Sequence, residues 1–261
     1  VMRNYSNIIS LVKNSRGIYS LDTSIGCSSG LKNERNGCYN DCYAFNSANR
    51  YGYDFATTIY RDFSSERHRK LILNKINKSS LDFIRIGTSG DPSENWEHTI
   101  NIIKKIENCN KQIVIITKHW TNLTIDQLNY FSKINVCVNT SVSALDKQHL
   151  LINSLSQYNI LKKYCKSILR VVSCDFNLDN FEGKIYNKIQ QDLFANDGII
   201  DTILRVGKNN MLVQSGIINV KESKFLGGKA LISRHNKKTY FGKCSSCHEM
   251  CGVNINVKNN L

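Results

Sequence analysis

The chain contains a single proline, three methionines and two tryptophans among its 261 residues, and no low-complexity segment or internal repeat is evident. It has no run of about 18 or more apolar residues, so a membrane-spanning helix is not expected. Residues 1–10 carry one arginine and only the short apolar run Ile8-Ile9, which is too little for a signal peptide. We therefore expect a cytoplasmic protein without a membrane partner.

Acidic residues are scarce relative to basic ones. The chain has 21 aspartates and glutamates against 35 lysines and arginines, which gives a formal net charge of +14. Such an excess is typical of proteins that bind nucleic acids or other phosphate-bearing partners. The alternative is a codon bias towards Lys, Asn and Ile, because the basic residues are spread along the chain and form no long block. Both interpretations stay open.

The remaining composition, 41% hydrophobic and 21% charged, is typical of a globular protein with room for one α/β domain and a small appendage. Five segments have helical spacing, and Thr124 opens one of them with a capping box. Short β-branched apolar runs predict six strands that are covered on both faces: Leu21–Ile25, Phe83–Thr88, Gln112–Thr117, Val136–Val142, Ile168–Val172 and Ile200–Val206.

Strands that alternate with helices predict a parallel sheet, which is either doubly wound or curved into a partial barrel. In both arrangements ligands bind at the carboxyl ends of the strands. The alternation ends near residue 209. We therefore divide the chain into an N-terminal segment (1–20), an α/β domain (21–208) and a C-terminal extension (209–261).

Ten cysteines in a cytoplasmic protein argue for metal binding and against a disulfide framework. Cys27, Cys38 and Cys42 lie in a glycine-containing loop after the first predicted strand. Three thiolates can hold three irons of a [4Fe–4S] cluster and leave the fourth iron open to a substrate or cofactor. Alternatively, Cys38 and Cys42 bind a structural zinc ion and Cys27 is a small buried hydrophobe.

A second set of cysteines, Cys244, Cys247 and Cys251, lies near the end of the sequence with His248 beside it. This spacing predicts either a second [4Fe–4S] cluster or a structural zinc site. Free cysteines are usually core residues, and we expect this of the other four: Cys109, Cys137, Cys165 and Cys174.

Charged residues at or within the predicted strands are candidates for catalysis. Lys118, at the end of the third strand, either neutralises a carboxylate or phosphate of a ligand or is simply solvated. Arg170 and Arg205 interrupt apolar strands, where a charge is costly unless it is paired or functional. Each is a candidate clamp for a carboxylate or phosphate group.

Three polar residues of the fourth strand, Asn139, Ser141 and Ser143, alternate and therefore point to one face. They contact a cofactor if that face is the interior of a barrel. Otherwise they are ordinary polar residues of a strand.

The cysteine loop resembles that of the radical S-adenosylmethionine superfamily, and most closely its phage-associated members. The common motif of that superfamily has three residues and then two residues between its cysteines. Cys38 and Cys42 match the first gap, but Phe45 stands at the third position, so the resemblance implies Cys27 as a ligand. It covers roughly residues 20–208 and rests on these residues: Gly26-Cys27, Gly37-Cys38, Cys42-Tyr43-Ala44, the Gly-Asp-Pro turn at 90–92, and Ile116-Thr117-Lys118.

The resemblance implies a partial (β/α)6 TIM-like barrel with a C-terminal cysteine-rich appendage. It also implies that Cys27, Cys38 and Cys42 hold a [4Fe–4S] cluster whose open iron is chelated by S-adenosylmethionine. An electron from an external reductant would then cleave S-adenosylmethionine to methionine and a 5′-deoxyadenosyl radical, which abstracts a hydrogen atom from substrate.

Three further cofactor contacts follow from the resemblance. Tyr43, next to the last cysteine of the loop, would pack near the adenine. Ser89 or Asp91, in the turn after the second strand, would accept hydrogen bonds from the amino group of S-adenosylmethionine. The alternative for Asp91 is a tight turn that leads into the next helix, with Pro92 near its start.

Two functions of different classes remain. The first is a radical S-adenosylmethionine enzyme that acts on an unidentified nucleotide, nucleic acid or peptide. The second is a basic nucleic-acid-binding protein without catalysis, stabilised by two zinc sites. An α/β domain of about 190 residues lies between the two cysteine sets, and that size favours an enzyme.

Overall fold

The computed structural model describes residues 2–33, 37–225, 228–236, 247 and 250–257. They form a nine-stranded main sheet, a separate two-stranded sheet and eight α-helices. The strands are β1 (Leu11–Lys13), β2 (Tyr19–Leu21), β3 (Ser24–Ile25), β4 (Ile59–Tyr60), β5 (Phe83–Ile86), β6 (Gln112–Thr117), β7 (Val136–Val142), β8 (Lys166–Ser173), β9 (Ile199–Val206), β10 (Lys221–Phe225) and β11 (Gly228–Ser233). The helices are α1 (Ser28–Asn33), α2 (Tyr43–Arg50), α3 (Glu66–Asn77), α4 (Trp96–Ile106), α5 (Ile125–Phe131), α6 (Gln148–Leu161), α7 (Phe181–Phe194) and α8 (Met211–Gln214).

Six neighbouring strands of the main sheet are parallel, in the order β2-β5-β6-β7-β8-β9. Because each new strand is added on the same side, right-handed crossovers place the connecting helices on one face of the sheet. Antiparallel strands occupy both edges, β1 beside β2 and the β10–β11 hairpin beside β9. The predicted α/β class is confirmed, with a mostly parallel sheet that is open and not closed into a barrel.

Side-chain caps start five of the described helices, α3, α4, α5, α7 and α8. The capping box predicted at Thr124 is confirmed, since its hydroxyl accepts a hydrogen bond from the Gln127 amide at the start of α5. Helix α7 begins at Phe181, where the Asn180 side chain accepts the Gly183 amide and caps the first turn.

The two faces of the parallel sheet have different covers. On one face, Ile84, Ile115 and Val138 pack among buried residues of α3, α4 and α5. On the other face, a layer of side chains near the start of the strands is covered by residues 250–257. This layer comprises Phe83, Val114, Cys137, Ile168 and Ile200.

The position predicted for the first strand, Leu21–Ile25, is wrong. Strand β2 ends at Leu21, and β3 leaves the main sheet to pair with β4. The break occurs at Asp22, whose carboxylate accepts hydrogen bonds of 3.0, 2.7 and 3.0 Å from the backbone amides of residues 87, 88 and 89. Asp22 thereby fixes the loop after β5 against the end of β2.

The described part of residues 209–261 packs onto the main sheet at two places. Strand β11 pairs with β9 and extends the sheet. Residues 250–257 lie across the face opposite the helices, where the Asn139 side chain donates to the Cys251 carbonyl at 3.1 Å and Lys166 donates to the Val253 carbonyl at 2.7 Å. This segment therefore covers the apolar layer at the start of the strands.

Helices α6 and α7, with 14 residues each, are the longest in the described part of the chain. A helix needs about 20 residues to cross a bilayer. No described helix is therefore able to span a membrane.

Candidate cofactor site at the carboxyl ends of the strands

A cavity of about 300 Å³ lies at the carboxyl ends of the parallel strands, where the topology predicts a ligand. Its lining comes from the loops after β5 and β6, from the last residues of β7, β8 and β9, and from the cysteine loop. We call this space the cysteine cavity. It brings together nine of the residues singled out from the sequence: Cys27, Cys38, Cys42, Tyr43, Ser89, Asp91, Lys118, Ser141 and Arg205.

Each of the three cysteines stands at the boundary of a local element. Cys27 precedes α1, and its backbone amide donates to the Phe55 carbonyl at 3.0 Å. Cys38 starts a short 3₁₀ turn, and Cys42 is the N-cap residue of α2. Their positions are thus set by backbone hydrogen bonds around them.

Glycines let the backbone approach two of these thiols closely. A Cβ atom added to Gly30 would lie 2.7 Å from the Cys27 sulfur. At Gly37, where φ is 77°, an added Cβ atom would lie 2.4 Å from the Cys42 Cβ atom. Only glycine fits both positions, so the loop wraps tightly around its sulfur atoms.

Burial keeps the Cys27 and Cys38 thiols protonated in the absence of a ligand. It raises the pKa of Cys27 above its usual range and raises the pKa of Cys38 to about 12, although the Lys118 ammonium lowers the latter in part. The three cysteines also influence one another, since Cys38 raises the pKa of Cys27 and Cys42 raises that of Cys38. A metal centre reverses this tendency, because its positive charge deprotonates a coordinating thiol.

Two buried donors beside the cavity have no hydrogen-bond partner in the described part of the chain. They are the indole Nε1 of Trp120 and the hydroxyl Oγ1 of Thr88, and both residues line the cysteine cavity. Buried donors are rarely left unpaired, so an acceptor that occupies the cavity would satisfy them.

Three thiols that line one cavity are donors of the kind that a [4Fe–4S] cluster uses. Within the described residues, no three His, Cys, Asp or Glu side chains form a group that could hold one metal ion. A cluster has a different requirement, because each cysteine binds its own iron and the cluster fills the space between them. Around the cysteine cavity lie three thiols, two close glycines and two buried donors without a partner among the described residues.

Glu94 fixes the segment that follows Cys27. Its carboxylate accepts hydrogen bonds from the Ser29 amide at 2.8 Å and from the hydroxyls of Ser28 and Ser29 at 3.1 and 3.0 Å. Negative charge at the first turn of a helix is favourable, and here it stabilises α1. Nothing in the local sequence of Glu94 indicates these partners, which lie 65 and 66 residues away.

The sequence allows two interpretations of Asp91, as an acceptor for the amino group of S-adenosylmethionine or as part of a tight turn that leads into the next helix. One carboxylate oxygen accepts the Ser93 amide at 2.9 Å and the Thr117 hydroxyl at 2.6 Å, and the other accepts the Lys118 amide at 2.7 Å. Asp91 is 9% exposed and caps the turn that contains Pro92. It joins the loop after β5 to the end of β6, and burial raises its pKa.

Lys118 is part of a buried ion pair at the side of the cavity. Its ammonium lies 2.6 Å from the Asp146 carboxylate and 2.7 Å from the Tyr39 hydroxyl. Asp146 also accepts the Ser143 amide at 2.8 Å. Lys118 is therefore not solvated, and Tyr39, at a positive φ of 59°, is a lining residue that the sequence did not indicate.

Tyr43 stands at the mouth of the cavity. Its side chain is 62% exposed, and its hydroxyl donates to the Thr88 carbonyl. Ser89 is held by its backbone, with the amide bound to Asp22 and the carbonyl accepting the Gly26 amide.

Three of the predicted polar and charged site residues, namely Asn139, Ser143 and Arg170, do not line the cysteine cavity. The Asn139 side chain donates to the Cys251 carbonyl, and the Arg170 guanidinium donates to the Thr202 hydroxyl at 3.3 Å and to the side-chain amide oxygen of Asn139 at 3.4 Å. The Ser143 hydroxyl donates to the Val172 carbonyl at 2.7 Å. Asn139 and Ser143 therefore serve contacts within the protein, and Arg170 donates to Thr202, which lines the cavity.

The second cysteine set is described only in part. Cys244 and His248 lie outside the described residues. Cys251 is buried in the apolar layer with Cys137 and Ile168, and its backbone has a positive φ of 55°. The second metal site therefore stays a prediction.

Comparisons of the chain with protein-family models, with curated proteins and with solved structures found no match.

Proposed function

We propose that the protein is a radical S-adenosylmethionine enzyme whose [4Fe–4S] cluster is held by Cys27, Cys38 and Cys42. The observation that carries this proposal is that all three thiols line one cavity at the carboxyl ends of a parallel sheet, although they are up to 15 positions apart. Enzymes of the α/β class bind their ligands at that end of the sheet.

Cys27, Cys38 and Cys42 would hold the cluster, which when bound and reduced would supply one electron for cleavage of S-adenosylmethionine to methionine and a 5′-deoxyadenosyl radical, the species that would take a hydrogen atom from substrate. The electron comes from an external one-electron reductant. The chain's own residues bind, orient and shield these groups.

Most of the surrounding residues act as positioning groups. Glu94 and Asp22 hold the loops that carry Cys27 and residues 87–89, and Asp91 fixes the end of β6. The Trp120 indole and the Thr88 hydroxyl are available as donors to acceptors inside the cavity.

Charged and aromatic residues at the cavity wall have roles that follow from their chemistry. Arg205 is suited to a carboxylate or phosphate of cofactor or substrate, and Tyr43 to packing against the adenine. Lys118 holds the Tyr39 hydroxyl in place through its ion pair with Asp146. The curvature of a partial barrel belongs to the same proposal, because it would close the parallel strands around the cavity.

Electron paramagnetic resonance of the reconstituted protein tests the ligand assignment. After anaerobic treatment with iron and sulfide and reduction with dithionite, S-adenosylmethionine is expected to change the cluster spectrum, because it binds the open iron. The Cys27→Ala variant should lose that change. Cys109→Ala is the matched control, since Cys109 follows α4 and its thiol donates to the Lys111 carbonyl.

Two outcomes would contradict the proposal. An unchanged spectrum and response in Cys27→Ala would exclude Cys27 as a ligand. A wild-type protein that takes up zinc but no iron would favour the zinc-stabilised nucleic-acid-binding alternative.

A further inference from the structure

A second cavity, of about 280 Å³, lies directly beside the cysteine cavity. The two share four lining residues, namely Tyr43, Ala44, Phe55 and Ser89. A ligand in the second cavity is therefore separated from the cysteine cavity by single side chains. We call it the aromatic cavity, because of the residues described next.

Half of the residues that line this second cavity are aromatic, whereas aromatic residues make up 9% of the chain. They come from three separate segments, the N-terminal stretch, the first turn of α2 and the loop after α2. These residues are Tyr5, Tyr43, Tyr51, Tyr53 and Phe55.

The rings form an ordered group. Tyr5 and Tyr53 are stacked, with ring centroids 4.6 Å apart and planes inclined by 10°. The Arg3 guanidinium lies over the Tyr53 ring at 4.6 Å and donates to the Tyr51 carbonyl. The Tyr51 side chain is 61% exposed, although burying an aromatic ring is favourable. An exposed ring beside a stacked pair is a platform on which another flat group can stack.

Cations accompany these rings. Arg3 and Arg50 are both exposed, and Arg50 directly precedes Tyr51. The acidic residue nearest to Tyr51 in the sequence is Asp54, whose carboxylate accepts a hydrogen bond of 2.9 Å from the Ala56 amide. Aromatic faces together with guanidinium groups are the combination that proteins use to bind unpaired nucleobases and their phosphates. The net charge of +14 favours the same class of ligand.

We propose that the aromatic cavity binds a nucleobase of the substrate, with the flanking phosphate near Arg3 and Arg50. This inference deepens the proposed function and rests on it, because it places the base next to the cavity in which the radical would form. The base belongs either to a free nucleotide or to a single strand, since a base inside a duplex has no free face to stack on.

Binding by the full-length protein without reconstituted cofactor tests the inference independently of radical chemistry. The probe is a fluorescently labelled ten-nucleotide oligodeoxythymidylate or oligoriboadenylate, followed by anisotropy. We expect Tyr51→Ala to weaken binding about tenfold, because a stacking ring is lost. Tyr51→Phe should retain wild-type affinity. Tyr51 is exposed, so its truncation should leave the melting temperature unchanged.

The matched control is Tyr60→Ala, which truncates another exposed tyrosine that lines neither cavity and should bind like the wild type. Displacement of the probe by thymidine or adenosine monophosphate identifies a free nucleotide as ligand. Binding of the oligonucleotide alone identifies a single strand. Both results support the inference.

Three results would overturn it. The first is equal affinity of Tyr51→Ala and the wild type, or no binding by either. The second is displacement of the probe by S-adenosylhomocysteine, which would assign the aromatic cavity to the adenine of the cofactor. The third is binding of the peptide Lys-Trp-Lys in place of nucleotides. None of them tests the cleavage of S-adenosylmethionine, so the two proposals can fail separately.

Discussion

A buried imidazole next to the cysteine cavity shows how one residue couples this protein's stability to pH. His119 is 1% exposed and adopts a positive φ of 56° between Lys118 and Trp120. Its Nε2 atom lies 2.9 Å from the Thr140 hydroxyl, while Nδ1 has no partner among the described residues. Burial lowers the pKa of His119 from 6.5 to about 3, because the charged form would lose its hydration.

The folded protein should therefore lose stability as the solution becomes mildly acidic. Below a pH of about 6.5 the unfolded chain binds a proton at His119 and the folded chain does not. The free energy of unfolding should fall by about 1.4 kcal/mol per pH unit from this residue, or roughly 2 kcal/mol at pH 5. Urea unfolding at pH 7.5 and pH 5 measures the difference.

The His119→Asn variant should lose this component, and asparagine tolerates the positive φ. His149→Asn, at an exposed position on α6, is the control and should keep the wild-type pH dependence. An equally steep decline in stability between pH 7.5 and pH 5 in His119→Asn would show that other groups cause it.

At the scale of helices and strands, the sequence predicted elements wherever their signals are local. Helix α5 was placed correctly because both halves of its capping box lie within four residues of each other. The break after β2 and the role of Glu94 were missed. Both depend on carboxylates that bind backbone amides or hydroxyls more than 60 residues away, and backbone amides carry no sequence signal.

The site around the cysteine loop likewise has residues that the sequence identifies and residues that only the structure shows. The sequence identifies Cys27, Cys38 and Cys42 and the glycines that surround them. It does not show that Tyr39 and Trp120 reach the same cavity, because their approach depends on how the loops after β6 and β7 pack. The aromatic cavity was missed for the same reason, since its rings come from three segments.

Helix α1 should depend on Glu94. The Glu94→Ala variant removes the acceptor of three hydrogen bonds, and we expect faster amide exchange over residues 28–33 together with reduced retention of iron after reconstitution. Glu97→Ala removes an exposed acid three positions away and should change neither property. Unaltered exchange in Glu94→Ala would refute the idea that this carboxylate holds the Cys27 loop.

At the scale of the whole molecule, one sheet separates three regions. Helices and their apolar core cover one face, and residues 250–257 cover the start of the strands on the other. The carboxyl ends of the strands carry the cysteine cavity, with the aromatic cavity beside it.

The most direct test of the central claim is the formation of 5′-deoxyadenosine. The protein is reconstituted anaerobically with iron and sulfide, reduced with dithionite and mixed with S-adenosylmethionine, and the product is measured by mass spectrometry. We predict 5′-deoxyadenosine from the wild type and from Cys109→Ala, and none from Cys42→Ala. Equal product from Cys42→Ala, or a wild-type protein that contains zinc without iron and forms no product, would contradict the account.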